Sequence, residues 1–253
     1  RVVNYSNESF GSRITMLRAT EESVNTAYVQ MTARIGPDQV KDALMRAGIP
    51  ETTPGFDPNV TVTLGTSSPH VVDVASAYAT LANRGKRLAV TYLKSVRTAD
   101  GAVKFELNPN PYKAFTVRVA DTVGYALQRV VQYGTGRAVL SLGRPAAGKT
   151  GTTDDNKSAW FAGYTPELAT AVMMVKDGAN GQAVSLSGTG GMSSVYGGSF
   201  PARMWTAYTR GALTGFPVQP LPPLPPDEPS GTYPMPSTSG SSEDTMIIAT
   251  PLS

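Results

Sequence analysis

The spacing of hydrophobic positions changes along the chain, from helical in the first half to alternating in the second. Helix formers dominate residues 15–34, but Ser23, Asn25 and Thr26 interrupt them, which predicts one helix meeting another at a kink. Pro37 and Gly48 bracket a short helix over 37–47, where proline suits the first turn and glycine the stop. Residues 70–84 place Val71, Val74, Ala75, Tyr78 and Ala82 at helical spacing before Gly85. Residues 116–133 repeat this pattern with Val117, Ala120, Gly124, Leu127 and Val131, and Gly134 ends it. Between these two helices, 88–98 and 102–107 flank Asp100-Gly101 and predict a hairpin. The runs 149–153, 158–164 and 168–176 are apolar or β-branched, and turn residues separate them, so they predict an antiparallel meander. Pro201 opens a closing helix over 201–214. Helices first and a meander last give an α+β class, with helices packed on an antiparallel sheet. No internal repeat is present.

Composition separates a tail from this body. Half of the 20 prolines lie in residues 217–253, including Leu221-Pro222-Pro223-Leu224-Pro225-Pro226, and a Ser/Thr/Gly-rich stretch follows from Ser237 to Ser242. Such a segment buries too little apolar surface to offset its ordering entropy, so residues 1–216 read as the folded part and 217–253 as a disordered linker or spacer with extended Pro-rich parts. Met246-Ile247-Ile248 is a short apolar patch with no evident role. The formal net charge of +3 is uneven, because all 22 Lys and Arg precede Pro217 and the tail holds only acids, Asp227, Glu228, Glu243 and Asp244. The basic residues of the body are scattered without a dense run, which speaks against nucleic acid as a partner. No apolar stretch reaches the length of a membrane span, and no secretory signal opens the chain. With no cysteine and one histidine, His70, the chain has no thiol chemistry, no disulfide and no poly-His metal site. The first residue, Arg1, is not Met, so a piece of a longer protein is expected.

The chemistry centres on Gly148-Lys149-Thr150-Gly151-Thr152. Residues 143–150 match the phosphate-binding P-loop pattern letter for letter. That loop must open a helix after Lys-Thr. Here Gly151-Thr152-Thr153-Asp154-Asp155-Asn156 follows, a run of weak helix formers and turn residues. The alternative is an edge strand. Gly151 would let another backbone approach closely. Alternation would put Lys149, Gly151 and Thr153 on one face and Thr150 and Thr152 on the other. A peptide could pair along such an edge, and ammonium and hydroxyl groups beside it would suit a carboxylate.

Lys149-Thr150-Gly151-Thr152, Asp155-Asn156 and Ala159-Trp160-Phe161-Ala162-Gly163-Tyr164-Thr165-Pro166 together resemble class A penicillin-binding proteins, the bifunctional peptidoglycan synthases. The resemblance covers most of the body. Ser23-Val24-Asn25 resembles their Ser-x-Asn motif and is followed by Thr26-Ala27-Tyr28-Val29. Leu64-Gly65-Thr66-Ser67, Asp73-Val74-Ala75-Ser76-Ala77-Tyr78-Ala79, Gly134-Thr135-Gly136 and Gly197-Gly198-Ser199-Phe200-Pro201-Ala202 take their expected places, and the tail resembles actinobacterial members. The resemblance implies the fold of penicillin-binding transpeptidases and serine β-lactamases. It implies cross-linking of peptidoglycan stem peptides ending in D-Ala-D-Ala through a serine acyl-enzyme, with β-lactams as inhibitors. It implies that Ser23, Asn25 and Lys149 are catalytic. Lys149 would hydrogen-bond Ser23, Ser23 would relay a proton to the leaving group, and Asn25 would hold a substrate carbonyl and the base lysine. Thr150, Gly151 and Thr152 would bind substrate, the two hydroxyls taking its terminal carboxylate and the Thr152 N–H its oxyanion. Neither cofactor nor metal is implied, and the parent protein would work at the extracytoplasmic face of the plasma membrane.

One motif is missing. The residues three before each lysine are Asp38, Asn83, Thr91, Gly101, Asn110, Ala146, Asp154 and Met173, so no Ser-x-x-Lys occurs. The resemblance therefore implies the C-terminal part of a transpeptidase domain, inactive alone and partnered by the missing N-terminal part of its own domain. The rival class is a non-catalytic module that binds stem peptides or serves as a scaffold. His70 is expected at the surface or as a helix cap, Asp154, Asp155 and Asn156 in a turn, and Trp160 and Phe161 in sheet packing.

Overall fold

A computed structural model of the chain describes residues 2–226. The first expected kink is a pair of helices, α1 (Met16–Glu21) and α2 (Asn25–Ile35), and α3 (Pro37–Ala47) follows directly. Gly36 and Gly48, with φ of 99° and 139°, bracket α3 in backbone conformations that side chains rarely adopt. Next come α4 (Val71–Ala82) and four short strands, β1 (Lys86–Arg87), β2 (Ser95–Arg97), β3 (Val103–Glu106) and β4 (Tyr112–Lys113). His70 is exposed and stands at the N-cap of α4, where its side chain makes no capping hydrogen bond.

The hairpin forms at Asp100-Gly101, with Gly101 at φ 88°, but its strands are shorter than the sequence suggests. Residues 88–94 join no strand. Opposite them the chain runs into Asn108-Pro109-Asn110-Pro111, whose prolines have no N–H for the ladder.

The second half places α5 (Val117–Tyr133), the meander β5 (Ala147–Thr152), β6 (Ser158–Tyr164) and β7 (Ala169–Val175), and the closing helix α6 (Phe200–Ala212). The meander pairs antiparallel in the order β5-β6-β7. Helices cover both faces of this sheet. Phe161 is fully buried on one face and meets Trp205 of α6 edge-on, ring centroids 5.3 Å apart. The Trp205 indole N–H donates to the Thr170 carbonyl at 3.0 Å. Three residues along β6, on the opposite face, Tyr164 packs with Leu127 of α5, Ala147 and, from α4, Tyr78 and Leu81. Phe161 is thus sheet packing, as expected.

Residues 217–226, assigned by composition to the tail, adopt neither helix nor strand but are tied to the body. Leu221 joins the cluster around Leu127, the Gln128 amide donates to the Pro222 carbonyl at 3.0 Å, and Arg118 donates to Pro226 O at 2.7 Å. Here the prolines reduce the entropy lost on docking, so a little apolar burial and two hydrogen bonds hold the segment. The Ser237–Ser242 stretch and Met246-Ile247-Ile248 lie outside the described residues. Among the described residues no helix is long and apolar enough to cross a membrane.

Candidate active site

The kink between α1 and α2 builds the first half of the site. The α1 helix ends in a Schellman turn: Val24 N–H donates to Ala19 O at 2.9 Å and Ser23 N–H to Thr20 O at 3.3 Å. Buried Val24 packs on Ala19, the hydrophobic contact this turn favours. Ser23 occupies the left-handed position, φ 57°, where glycine is the ordinary choice. A serine here carries a backbone cost that its hydroxyl must justify. Ser23→Ala and Ser23→Gly both remove the hydroxyl, so their difference isolates that cost. We expect the glycine variant to be about 1 kcal/mol more stable than the alanine variant. Urea unfolding measures this, and equal stabilities would exclude the left-handed backbone.

The second half is β5. Thr153 N–H donates to Ser158 O, in register with the Gly151–Trp160 and Lys149–Ala162 pairs. In an antiparallel ladder this alternation turns the N–H and C=O of Thr150 and Thr152 away from β6. That side is the edge of the sheet among the described residues. No helix opens after Lys149-Thr150; a strand and then a short turn at 154–156 follow, so the P-loop geometry is absent. Asp155 and Asn156 hold the turn at φ 58° and 54°.

The two halves meet at one contact. Lys149 Nζ donates to Ser23 Oγ at 2.7 Å and to the Thr150 carbonyl at 3.1 Å. Neither partner is charged, and burial lowers the Lys149 pKa from 10.5 to about 8. At neutral pH the amine is therefore still mostly a cation, beside an open strand edge. On the other face, the Thr150 and Thr135 hydroxyls lie 2.6 Å apart. Thr152 Oγ1 accepts from Gly197 N–H at 3.1 Å, which leaves its own proton free to donate. The expected residues Ser23, Lys149, Thr150, Gly151 and Thr152 thus converge. Asn25 does not join them: its amide donates to Val3 O at 3.2 Å. Beside it, Asn4 Oδ1 accepts from the N–H and hydroxyl of Thr26 at 3.0 and 3.1 Å, capping α2 from 22 residues upstream.

The sequence offers Tyr196, Gly197 and Gly198 as a loop near the cleft, but gives Gly134-Thr135-Gly136 no place in the site. The available signal was paired glycines flanking the strand. A methyl group at Gly134 would stand 2.2 Å from Glu21 O, and one at Gly197 2.3 Å from Trp160 O. Among the described residues, no cluster of His, Cys, Asp or Glu is arranged to hold a metal ion.

Comparison with known proteins bears on the family and the fold. The family profile of the penicillin binding protein transpeptidase domain matches residues 2–189. Penicillin-binding protein 1A of Mycolicibacterium smegmatis is 34% identical over 242 residues, covering 88% of this chain and 30% of that protein. Penicillin-binding protein 1A of Mycobacterium tuberculosis is 33% identical, covering 85% of this chain and 28% of that protein. The chain therefore spans less than a third of the length of these relatives. The structure of the Mycobacterium tuberculosis PonA1 protein in complex with penicillin V matches with a TM-score of 0.73 and 31% identity, over 90% of this chain and 66% of that one.

Proposed function

Because the chain belongs to the penicillin-binding protein transpeptidase family, we propose that it forms the C-terminal part of a D,D-transpeptidase site that cross-links stem peptides ending in D-Ala-D-Ala. The observation that carries this reading is the Ser23–Lys149 contact at the open edge of β5. A stem peptide laid along that edge meets the outward N–H and C=O of Thr150 and Thr152. Its terminal carboxylate finds the Lys149 cation and free hydroxyl protons from Thr152 and from the Thr135–Thr150 pair. Its reacting carbonyl lies at the Thr152 N–H, one donor of an oxyanion hole.

The chemistry is acyl transfer. A serine attacks the penultimate D-Ala carbonyl, D-Ala leaves with a proton, and an amine from a second stem releases the acyl group and restores the serine. Ser23, hydrogen-bonded to Lys149, passes the proton to the departing D-Ala nitrogen. Asn25 takes the substrate amide only by giving up Val3 O, the partner it holds in this structure. β-Lactams imitate the D-Ala-D-Ala end and stop at the acyl-enzyme. The attacking serine comes from a Ser-x-x-Lys segment outside this sequence. Among the described residues β7 is an edge strand, which supports a further part of the domain packing there, beside an apolar groove lined by Val71, Val72, Ala171, Met204 and Tyr208. The parent protein works outside the plasma membrane, where its substrate is.

Labelling with a fluorescent penicillin tests this. The full-length protein is expected to form a stable adduct on an upstream serine, and this chain alone is expected to form none. An adduct within residues 1–253 would overturn the placement of the nucleophile. Binding of D-Ala-D-Ala peptides by a full-length protein that never acylates would favour a non-catalytic module.

A further inference from the structure

Glu21 takes no part in the chemistry above, yet it is almost fully buried beside it, 3% exposed. Its two carboxylate oxygens are shared between two arginines. Oε1 accepts from Arg129 Nε at 2.7 Å, and Oε2 accepts from Arg18 at 3.2 Å. The Arg129 guanidinium is itself fixed over the Tyr133 ring, 4.0 Å from its centre. The main chain of Glu21 is equally committed. Its carbonyl accepts from Thr135 N–H at 3.2 Å, and Gly134 lies so close that any side chain there would strike that oxygen. One residue thus fastens the end of α1 to the end of α5.

Both ends lead straight into the site. Ser23, two residues past Glu21, receives the Lys149 hydrogen bond, and Thr135, one past Gly134, meets Thr150. We infer that Glu21, gripped by Arg129, is a positioning residue that sets Ser23 against Lys149 and Thr135 against Thr150. Its catalytic consequence rests on the transpeptidase reading; its geometric consequence does not. Buried ion pairs contribute little net stability compared with apolar packing, but they fix one geometry, because a displaced partner leaves a charge unpaired. The charge matters more than the shape: glutamine fills the same space but offers Arg129 a much weaker acceptor.

Two measurements test the inference. The first uses this chain, with lysine labelled at the ε-carbon for NMR and the Lys149 signal identified by its loss in Lys149→Arg. The shift of that signal in Ser23→Ala defines loss of the Ser23 contact. Glu21→Gln and Arg129→Met are expected to move it the same way, and Arg129→Lys, which keeps the charge, to hold it near its original place. Val62→Ala, in the separate cluster around Ile49 and Phe56, lowers stability without moving it. A Lys149 signal unchanged in folded Glu21→Gln overturns the inference. Should that variant not fold, an unchanged signal in Arg129→Met, whose guanidinium is part-exposed, overturns it equally.

The second measurement is penicillin acylation of the full-length protein, separating prior binding from the chemical step. Displacement of a positioned group by about 1 Å costs about 100-fold, and that loss is expected in the acylation rate with binding little changed. Normal acylation by Glu21→Gln overturns the inference. If the unaltered protein does not acylate, the transpeptidase reading fails, and the Lys149 signal still decides the role of Glu21.

Discussion

Lys149→Met is expected to abolish acylation and, at the same time, to stabilise the fold. The loss follows from position. The amine is a cation held at the Ser23 hydroxyl beside the β5 edge, and removing a preorganised charge or proton-relay partner from such a site costs about 1000-fold. The gain follows from burial. The Lys149 pKa falls from 10.5 in the unfolded chain to about 8 in the folded one. Below pH 8 the amine is protonated in both states, and the folded state carries the full cost of a poorly solvated cation. Between pH 8 and 10.5 the unfolded chain binds more protons, so stability rises with pH. Above 10.5 both states are neutral and the cost is gone. Methionine has similar bulk and no charge, so the variant lacks this pH dependence. We expect it to gain about 1–3 kcal/mol at pH 7, or about 2–4 °C in Tm for each kcal/mol. The gap should close by pH 10.5. Urea unfolding at pH 7 and pH 10.5 with fluorescent-penicillin labelling of the full-length protein reads both effects. A variant less stable at both pH values would mean that Lys149 is well solvated. Undiminished labelling would remove it from the mechanism.

This coupling of cost and use explains which parts of the site were legible in the sequence. Strong local patterns were. The break at Ser23, the helix stops at Gly48 and Gly134 and the turns between meander strands all follow from short-range propensity. So does the strand at Lys149-Thr150-Gly151, since the residues after it cannot open the helix that a P-loop requires. The α+β class, the antiparallel meander and the reading of β5 as an edge strand came from these patterns, while the register came from the structure. The roles of Ser23, Asn25 and Lys149 came only from resemblance, because a serine at a helix end is more often a cap.

What stayed hidden is contact across long separations. Glu21 and Arg129 are 108 residues apart, and Asn4 caps a helix from 22 residues upstream. Neither pairing leaves a mark on spacing or composition. The start of the tail is a further case. Its proline content suggests a segment without a core of its own and could not reveal that Leu221 shares the core of the body. The paired glycines were visible as letters, and only the fold gives their reason.

That reason makes Gly197, like Gly134, one of the demanding positions outside the chemistry. A methyl group there would stand 2.3 Å from the Trp160 carbonyl and 2.8 Å from both the nitrogen and the oxygen of Gly151. All three atoms are main chain of β5 and β6, so none can rotate aside. Overpacking against yielding side chains costs about 1–3 kcal/mol, and a rigid ladder places the cost at or above the upper end. We expect Gly197→Ala to lose about 3 kcal/mol of stability or more. The damage is local as well, because Gly197 N–H donates to Thr152 Oγ1. Relief of the clash must move Gly197 away from β5, which frees the Thr152 hydroxyl and misaligns the edge on which the peptide lies. Penicillin acylation by the full-length variant should therefore fall beyond what its lost stability explains. Gly211 in α6 is the contrast: nothing lies within 4 Å of its added methyl. There, alanine should stabilise by about 0.4–1 kcal/mol. Urea unfolding of the two variants beside the unaltered chain decides the matter. Similar small effects at both positions would mean that Gly197 does not touch the β5–β6 ladder, and that something else holds Thr152 in the site.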